Sequence, residues 1–356
     1  MRITSVKHKK GLKKGRVLWG HPWLQAADPG TSWILYPLDR ARRDWWIGDR
    51  STGLFVTEVV NDRGDHHVVG LGEYAPGTDI PKWRFEDAGD GAYYIRNEET
   101  FQYLALYGAD AKYGAALQKD KDDDCRWEIE AHGSYDSPAV RDIEWAPEHP
   151  EYGVPPAQTS LDPPRMTRTP LRFIGEAVLP APIVRDSNRA GERALSWKTE
   201  HSPYYILRRF SCWNRVAFDS YDGISAQEHS VAIEFGVNES VSNTIEQNLN
   251  VAVTADAGFA FKGVSAAVST SVSAGLAIAT TTHWERSYFR REEFKETFPA
   301  NGGRPYAVAE WERRDVYSLV RAETGATRPV DEILSWEVTV PNVRISRSYN
   351  APPPSR

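Results

Sequence analysis

The chain has 356 residues, 40% of them hydrophobic and 26% charged, with a formal net charge of −6 at pH 7. No run approaches the ~18 consecutive apolar residues of a membrane-spanning helix, and a net acidic chain is no general binder of nucleic acid. Its 23 prolines, 26 glycines and 13 tryptophans point to turns, short strands and large aromatic anchors rather than long helices.

The amino terminus carries Lys7, Lys9, Lys10, Lys13, Lys14 and Arg16, a basic run read as a solvated loop. Gly20, His21 and Pro22 interrupt the apolar residues that follow, so no classical signal peptide is visible and a soluble protein is expected. The first third then repeats itself. Trp45-Trp46-Ile47-Gly48-Asp49 followed by Thr52 aligns without a gap on Tyr93-Tyr94-Ile95-Arg96-Asn97 followed by Thr100. Each block reads as strand, polar turn, strand. A fainter copy opens the chain at Ile3, with a basic turn and Gly11-Leu12, and each copy later meets a tryptophan: Trp33, Trp83 and Trp127. Three four-strand units, none able to bury a core alone, predict a pseudo-threefold β-trefoil.

These copies resemble the ricin-B-like lectins, whose repeat closes on Gln-x-Trp. The closures here are Thr31-Ser32-Trp33, Pro81-Lys82-Trp83 and Cys125-Arg126-Trp127, so the Gln is missing from all three. That motif is mainly structural in the family, and its loss weighs on particular sugar sites more than on the fold. Sugar recognition needs an aromatic platform beside hydroxyl-reading Asp or Asn. Trp45, Asp49, Tyr93, Asn97, Tyr103 and Tyr107 are the carbohydrate-binding candidates, with core packing as the competing reading of the aromatics.

Eight prolines from Pro138 to Pro170 make an extended connector, because proline fixes φ and removes a ladder donor. The expected division is a trefoil over 1–135, a linker over 136–170, an elongated antiparallel β-domain over 171–350 and a loose tail over 351–356. In the third part Val231, Ile233, Phe235 and Val237 alternate with Ala232, Glu234 and Gly236, and the odd phase runs on through Val241, Ile245, Leu249, Val251, Val253, Phe259 and Phe261. It then flips to Val264, Val268, Val272, Leu276 and Ile278. Period-two patterning predicts long strands throughout. It also predicts a hairpin over 248–282 with its tip at Lys262-Gly263. Leu249, Val251, Val253, Phe259 and Phe261 would share one face of its first strand, and Val264, Val268, Val272 and Leu276 one face of its second. Each strand is long enough to cross a bilayer, and the facing Asn250, Thr254, Ser265, Ser269, Ser271 and Ser273 are small and polar.

Gly175-Glu176-Ala177-Val178-Leu179-Pro180, Gly191-Glu192-Arg193, Pro203-Tyr204-Tyr205 with Trp213, and Ala255-Asp256-Ala257-Gly258-Phe259 resemble the Bin-type insecticidal crystal toxins. So does a late strand pair, Val308-Ala309-Glu310 and Tyr317-Ser318-Leu319-Val320-Arg321. The resemblance runs in order along essentially the whole chain. It implies an all-β protein, an N-terminal β-trefoil joined to an elongated antiparallel aerolysin-like domain, acting as a β-pore-forming toxin. Its implied partners are a cell-surface glycan or glycoprotein, the lipid membrane of the target cell and further copies of itself. A second toxin component and storage in an intracellular inclusion before extracellular action are also implied, though no residue here demonstrates a second component. Removal of short terminal segments is implied too, with Lys13, Lys14, Arg16, Arg344 and Arg347 as the sites for a trypsin-like protease. The alternative is a lectin-like defence or storage protein without pore activity.

No catalytic role is assigned: the serine-hydrolase elbow, the His-Glu-x-x-His metal motif, the phosphate loop and the dinucleotide fingerprint are all missing, and a glycosidase is disfavoured. No metal or other cofactor is expected. The acidic Asp120, Asp122, Asp123 and Asp124 read as a solvated loop, Arg63-Gly64-Asp65 as a turn, and His66-His67 as exposed loop. Cys125 and Cys212 read as two thiols, with one disulfide as the other possibility.

Overall fold

The computed structural model describes residues 2–13, 18–21, 32–38, 43–60, 67–72, 80–109, 112–130, 144–181, 183–184, 186, 204–237, 239–249, 251–253, 259–261, 266–278, 289–322 and 331–352. The first third forms a single 12-stranded sheet in three groups of four. The groups are β1 (Arg2–Ser5), β2 (Gly11–Lys13), β3 (Trp19–His21) and β4 (Trp33–Pro37); β5 (Asp44–Asp49), β6 (Phe55–Val60), β7 (His67–Gly72) and β8 (Trp83–Gly89); and β9 (Ala92–Asn97), β10 (Tyr103–Ala109), β11 (Lys112–Gln118) and β12 (Arg126–Glu130). The last strand of each group pairs antiparallel with the first of the next: β4 with β5, β8 with β9, and β12 back to β1. The two middle strands form a hairpin in every group. This is a β-trefoil, as the repeats predict.

The threefold character reaches individual atoms. Indole Nε1 of Trp33 donates to the Leu12 carbonyl at 3.1 Å, that of Trp83 to Val56 at 3.2 Å and that of Trp127 to Leu104 at 2.8 Å. All three rings are buried with Ile3, Ile47 and Ile95 in one central cluster. A tryptophan can occupy that core because its one polar atom finds a backbone acceptor there.

The second sheet contains β13 (Arg172–Pro180), β14 (Tyr204–Tyr221), β15 (Gln227–Gly236), β18 (Phe289–Phe298), β19 (Tyr306–Ala322) and β20 (Asp331–Asn350), with spatial order β13-β14-β19-β20-β15-β18. At roughly 3.3 Å per residue, the 18 residues of β14 give an elongated sheet. β15 is a strand as predicted: Val231, Ile233 and Phe235 are buried, and the residues between them are exposed. The two stretches expected to be a late strand pair instead lie in the one strand β19, paired along its length with β14 on one side and β20 on the other. Residues 144–171 hold no helix or named strand. They run along β14, where Thr169 N–H donates to the Trp213 carbonyl, Trp213 N–H donates to the Thr169 hydroxyl Oγ1, and Arg215 N–H donates to the Thr167 carbonyl.

One expectation is overturned. Between β15 and β18 the long alternating strands give way to α1 (Glu239–Leu249), a short hairpin of β16 (Val251–Val253) and β17 (Phe259–Phe261), and α2 (Ala266–Leu276). Val251 pairs with Phe261 and Val253 with Phe259, a register that differs from that of a hairpin turning at Lys262-Gly263. Lys262, Gly263 and Val264 lie outside the described residues. The patterning misleads because Val241, Ile245 and Leu249, and again Val268, Val272 and Leu276, are spaced by four. Four is both two strand periods and about one helical turn. Glu239, Asn243 and Gln247 interrupt the odd apolar phase at the same four-residue spacing, and that interruption is the helical signal.

Arg344 and Arg347 lie within β20, opposite Glu312 and Ala309 of β19, and Lys13 lies in β2 opposite Trp19. A ladder-bound strand is a poor protease substrate because cleavage requires the chain to leave its partners. The three positions are therefore protected, contrary to the sequence expectation. Lys14 and Arg16 lie outside the described residues, as do Arg63, Gly64, Asp65 and His66.

Candidate functional site

Of the six carbohydrate candidates, two are turn formers. Asp49 is fully buried, and its Oδ2 accepts from Ser51 Oγ at 2.8 Å, Thr52 N–H at 3.0 Å and Thr52 Oγ1 at 2.5 Å. Asn97 is buried too, and its Oδ1 accepts from the N–H groups of Glu99 at 2.8 Å and Thr100 at 3.3 Å. In the first group Ser5 takes the same place, its Oγ accepting from His8 N–H at 3.3 Å. The backbone repeats as well: Lys9 N–H to Ser5, Gly53 N–H to Asp49 and Phe101 N–H to Asn97, each near 2.9 Å or shorter. The residue closing each turn is left-handed, with φ of 52° at Lys9, 74° at Gly53 and 58° at Phe101. Asp49 and Asn97 recur in equivalent places because three equivalent tight turns need a side-chain acceptor. Asp49→Ala is expected to lower trefoil stability by about 1–3 kcal/mol, the cost of stranding the half-buried donors of Ser51 and Thr52. Thermal unfolding measures it.

The aromatics divide. Tyr103 is buried beneath Lys121, whose Nζ lies 5.1 Å from the ring centres of both Tyr103 and Tyr94 while pairing with Glu86 at 2.8 Å. Trp45, Phe85 and Tyr93 form a line across β5, β8 and β9, with centroids 6.2 and 6.3 Å apart. Tyr93 and Tyr107 are exposed. The Tyr107 phenol is pushed up to about 12, first by burial and then by Cys125 and the Asp122, Asp124 and Asp120 carboxylates, so it stays a neutral hydroxyl. Along the same strands Asp44, Arg84, Glu98, Arg96 and Glu86 form a chain of ion pairs at 2.7–3.0 Å. The trefoil surface therefore offers flat aromatic faces next to a charged polar ridge, the chemistry of sugar recognition. Repeat arithmetic missed Phe85, Tyr94 and the ridge, because only the strand pairing brings β5, β8 and β9 side by side.

The second candidate region is the helical segment over 239–278. Ile245 of α1 and Val272 and Leu276 of α2 are fully buried in the cluster that includes Ala177, Leu207, Leu319 and Val338 of the sheet. The end of α2 meets β13 at backbone distance. A Cβ on Gly175 would lie 2.5 Å from the Gly275 carbonyl oxygen, and one on Gly275 2.7 Å from that of Glu176, so both positions require glycine. Leu249, Val251, Val253, Phe259, Phe261 and Val268 lie on these elements, their side chains outside the described set. No helix among the described residues is long and apolar enough to cross a membrane, and none of their His, Cys, Asp and Glu groups could hold a metal ion. Both cysteines are free and buried. Burial pushes the Cys125 thiol up to about 12 and raises that of Cys212, which keeps both protonated and unreactive.

A β-trefoil joined to an elongated antiparallel sheet, with a sparsely charged segment whose helices pack on that sheet, has the architecture of an aerolysin-like toxin with a lectin-like amino-terminal domain. The family description "Insecticidal Crystal Toxin, P42" matches residues 172–351, and the chain belongs to that family. The crystal structure of Cry35Ab1 superposes with a TM-score of 0.68 at 14% identity, covering 98% of this chain and 89% of that one, so the two share a fold over essentially their full lengths. The designed threefold-symmetric protein ThreeFoil aligns at a TM-score of 0.32 and 18% identity over 36% of this chain and 97% of its own. No curated protein sequence matches the chain. The family is one of toxins, not of enzymes.

Proposed function

We propose that this protein is a β-pore-forming toxin that acts from outside the target cell. The trefoil engages a cell-surface glycan or glycoprotein through the Trp45–Phe85–Tyr93 face and Tyr107. Copies then associate on the membrane, and the segment around 248–282 inserts as a β-hairpin. The observation that carries this reading is the composition of that segment. Between Glu246 and Glu285 the only formal charges are Asp256 and Lys262, and its apolar residues alternate with Ser, Thr and Asn. Strands cross lipid only as closed barrels, with one face apolar and the other free to be polar. In this fold α2 lies within the segment as a helix, so insertion requires it to refold as a strand.

A binding protein without pore activity is the second reading, favoured by the complete burial of Ile245, Val272 and Leu276. Dye release separates the two. Glycan-bearing liposomes loaded with a self-quenching dye should leak on addition of the protein, with an oligomer surviving mild heating in detergent. Folded protein that binds the vesicles and releases no dye, with or without mild proteolysis, would sink the pore reading and leave the binding one.

A further inference from the structure

Helix α2 is a poor helix by composition. Its eleven residues include Val268, Thr270 and Val272, three serines and Gly275, all weaker helix formers than alanine or leucine. Tertiary contacts therefore hold it in place, and those at its carboxyl end are specific. Arg209 of β14 is buried beneath the last turn. Its Nη1 donates to the Leu276 and Ala277 carbonyls at 2.7 and 2.6 Å, while Nε and Nη2 donate to Oδ2 of Asp315 at 3.1 and 2.6 Å. One guanidinium thus satisfies two carbonyls that a helix end leaves without intrahelical partners, and places positive charge at the negative pole of the helix. Asp315, fully buried on β19, holds the guanidinium in position. Tyr152 lies alongside, 5.5 Å from Arg209 and 3.9 Å from Arg313, measured from each guanidinium carbon to the ring centre.

The same turn carries strain. Ile278 N–H donates to Ser273 at 2.9 Å and Ala277 N–H to Ala274 at 3.3 Å, the bonding pattern of a left-handed helix cap. The residue in the left-handed position is Ala277, at φ 50°, where glycine would fit without steric cost.

We propose that Arg209 and Asp315 form a clasp on the carboxyl end of α2 and that opening this clasp is the step that frees the segment over 239–278 from the sheet. What the freed segment then does rests on the pore-forming reading; the clasp itself does not. The strained Ala277 cap keeps the helix end ready to leave, and the buried ion pair sets the barrier to its doing so.

Hydrogen exchange on the full-length soluble protein tests the clasp without reference to membranes. In the double variant R209M/D315L, which removes both charges and keeps apolar volume, amides over 266–278 should exchange tenfold faster or more, while β14 and β19 keep their protection. In A277G, which relieves the cap, the same amides should exchange about fivefold more slowly. Unchanged exchange over 266–278 in the double variant overturns the clasp, and so does loosening of that variant that spreads equally through β14 and β19; unchanged exchange in A277G overturns the strained cap. Should the double variant not fold, R209K decides in its place: an ammonium keeps the charge but cannot span Asp315 and both carbonyls, so the same amides should exchange faster, and an unchanged rate overturns the clasp. Dye release from liposomes should follow the same order, fastest for the double variant and slowest for A277G. Equal release rates despite altered exchange overturn the clasp as the controlling step. No release from any form, unmodified protein included, overturns the pore reading, with the exchange data still deciding whether the clasp holds α2.

Discussion

Arg321→Met is expected to destabilise the protein by about 3–5 kcal/mol, the usual cost of leaving one member of a buried ion pair alone. Arg321 of β19 donates through Nε and Nη2 to Oδ2 of Asp186 at 3.1 and 2.7 Å, and the Tyr205 hydroxyl donates to the same oxygen at 3.0 Å. All three residues are buried, with Arg321 at 3%, Asp186 at 2% and Tyr205 at 1% exposure. With Arg321 removed, the Asp186 carboxylate keeps one phenol donor in a site closed to water. The Tyr205 phenol is held above its ordinary range, first by burial and then by the Asp186 charge, so it remains a donor and not a second anion. Arg172 pairs with Glu151 at a similar 3.0 Å, but its side chain is 51% exposed and that of Glu151 83%. Arg172→Met should change stability by no more than about 0.5 kcal/mol, because exposed pairs contribute little. Urea unfolding of both variants measures the contrast. Equal losses would mean that burial does not govern the Arg321 site.

The second large effect is expected in the trefoil. Trp127→Ala should cost about 3–5 kcal/mol, from the transfer of a large ring and the cavity left behind. Trp127→Phe keeps most of the apolar contact but strands the Leu104 carbonyl, and should cost about 1–3 kcal/mol. The corresponding changes at Trp33 and Trp83 should fall in the same ranges, since each ring is buried and donates to one backbone carbonyl. A loss below about 1 kcal/mol for any alanine variant would show that its group is not part of a common threefold core. Chemical denaturation followed by tryptophan fluorescence reads the trefoil transition in each case.

The trefoil was legible because its signals are local and threefold. Trp33, Trp83 and Trp127 each close a four-strand group, and the loss of the Gln of Gln-x-Trp did not matter because the buried indole bond is the structural part. The equivalence of Asp49 and Asn97 was also real, and it has a structural basis. The hydroxyl and amide donors that follow at Ser51, Thr52, Glu99 and Thr100 mark a turn that engages Oδ2 of Asp49 and Oδ1 of Asn97. The helices α1 and α2 were illegible for a different reason. Apolar residues four apart satisfy strand and helix alike, and low intrinsic helix propensity argued for the strand; contacts with residues such as Ala177 and Leu319, distant in sequence, decide the outcome. Arg209 with Asp315 and Arg321 with Asp186 lie 106 and 135 positions apart. Nothing local marks them among the 43 basic and 49 acidic residues of the chain.

Strand β4 belongs to two interiors at once. Trp33 and Leu35 point into the trefoil cluster, while Ile34 and Tyr36 join Trp46 and Phe55 in the cluster shared with the second sheet. Tyr204, at the start of β14, donates its hydroxyl to the Leu35 carbonyl at 3.1 Å and sets its ring edge-on to Tyr36 at 5.3 Å. The amino-terminal third is therefore not an exchangeable cassette. Cut free, it would present Ile34, Tyr36, Trp46 and Phe55 as a bare oily face and would stick to itself. Grafting a foreign trefoil onto this sheet to redirect the toxin would need those four positions carried over with it. The same seam gives the amino-terminal domain a stiff mechanical connection to the sheet, so a pull or twist on the trefoil is borne by packed side chains and not lost in a slack tether.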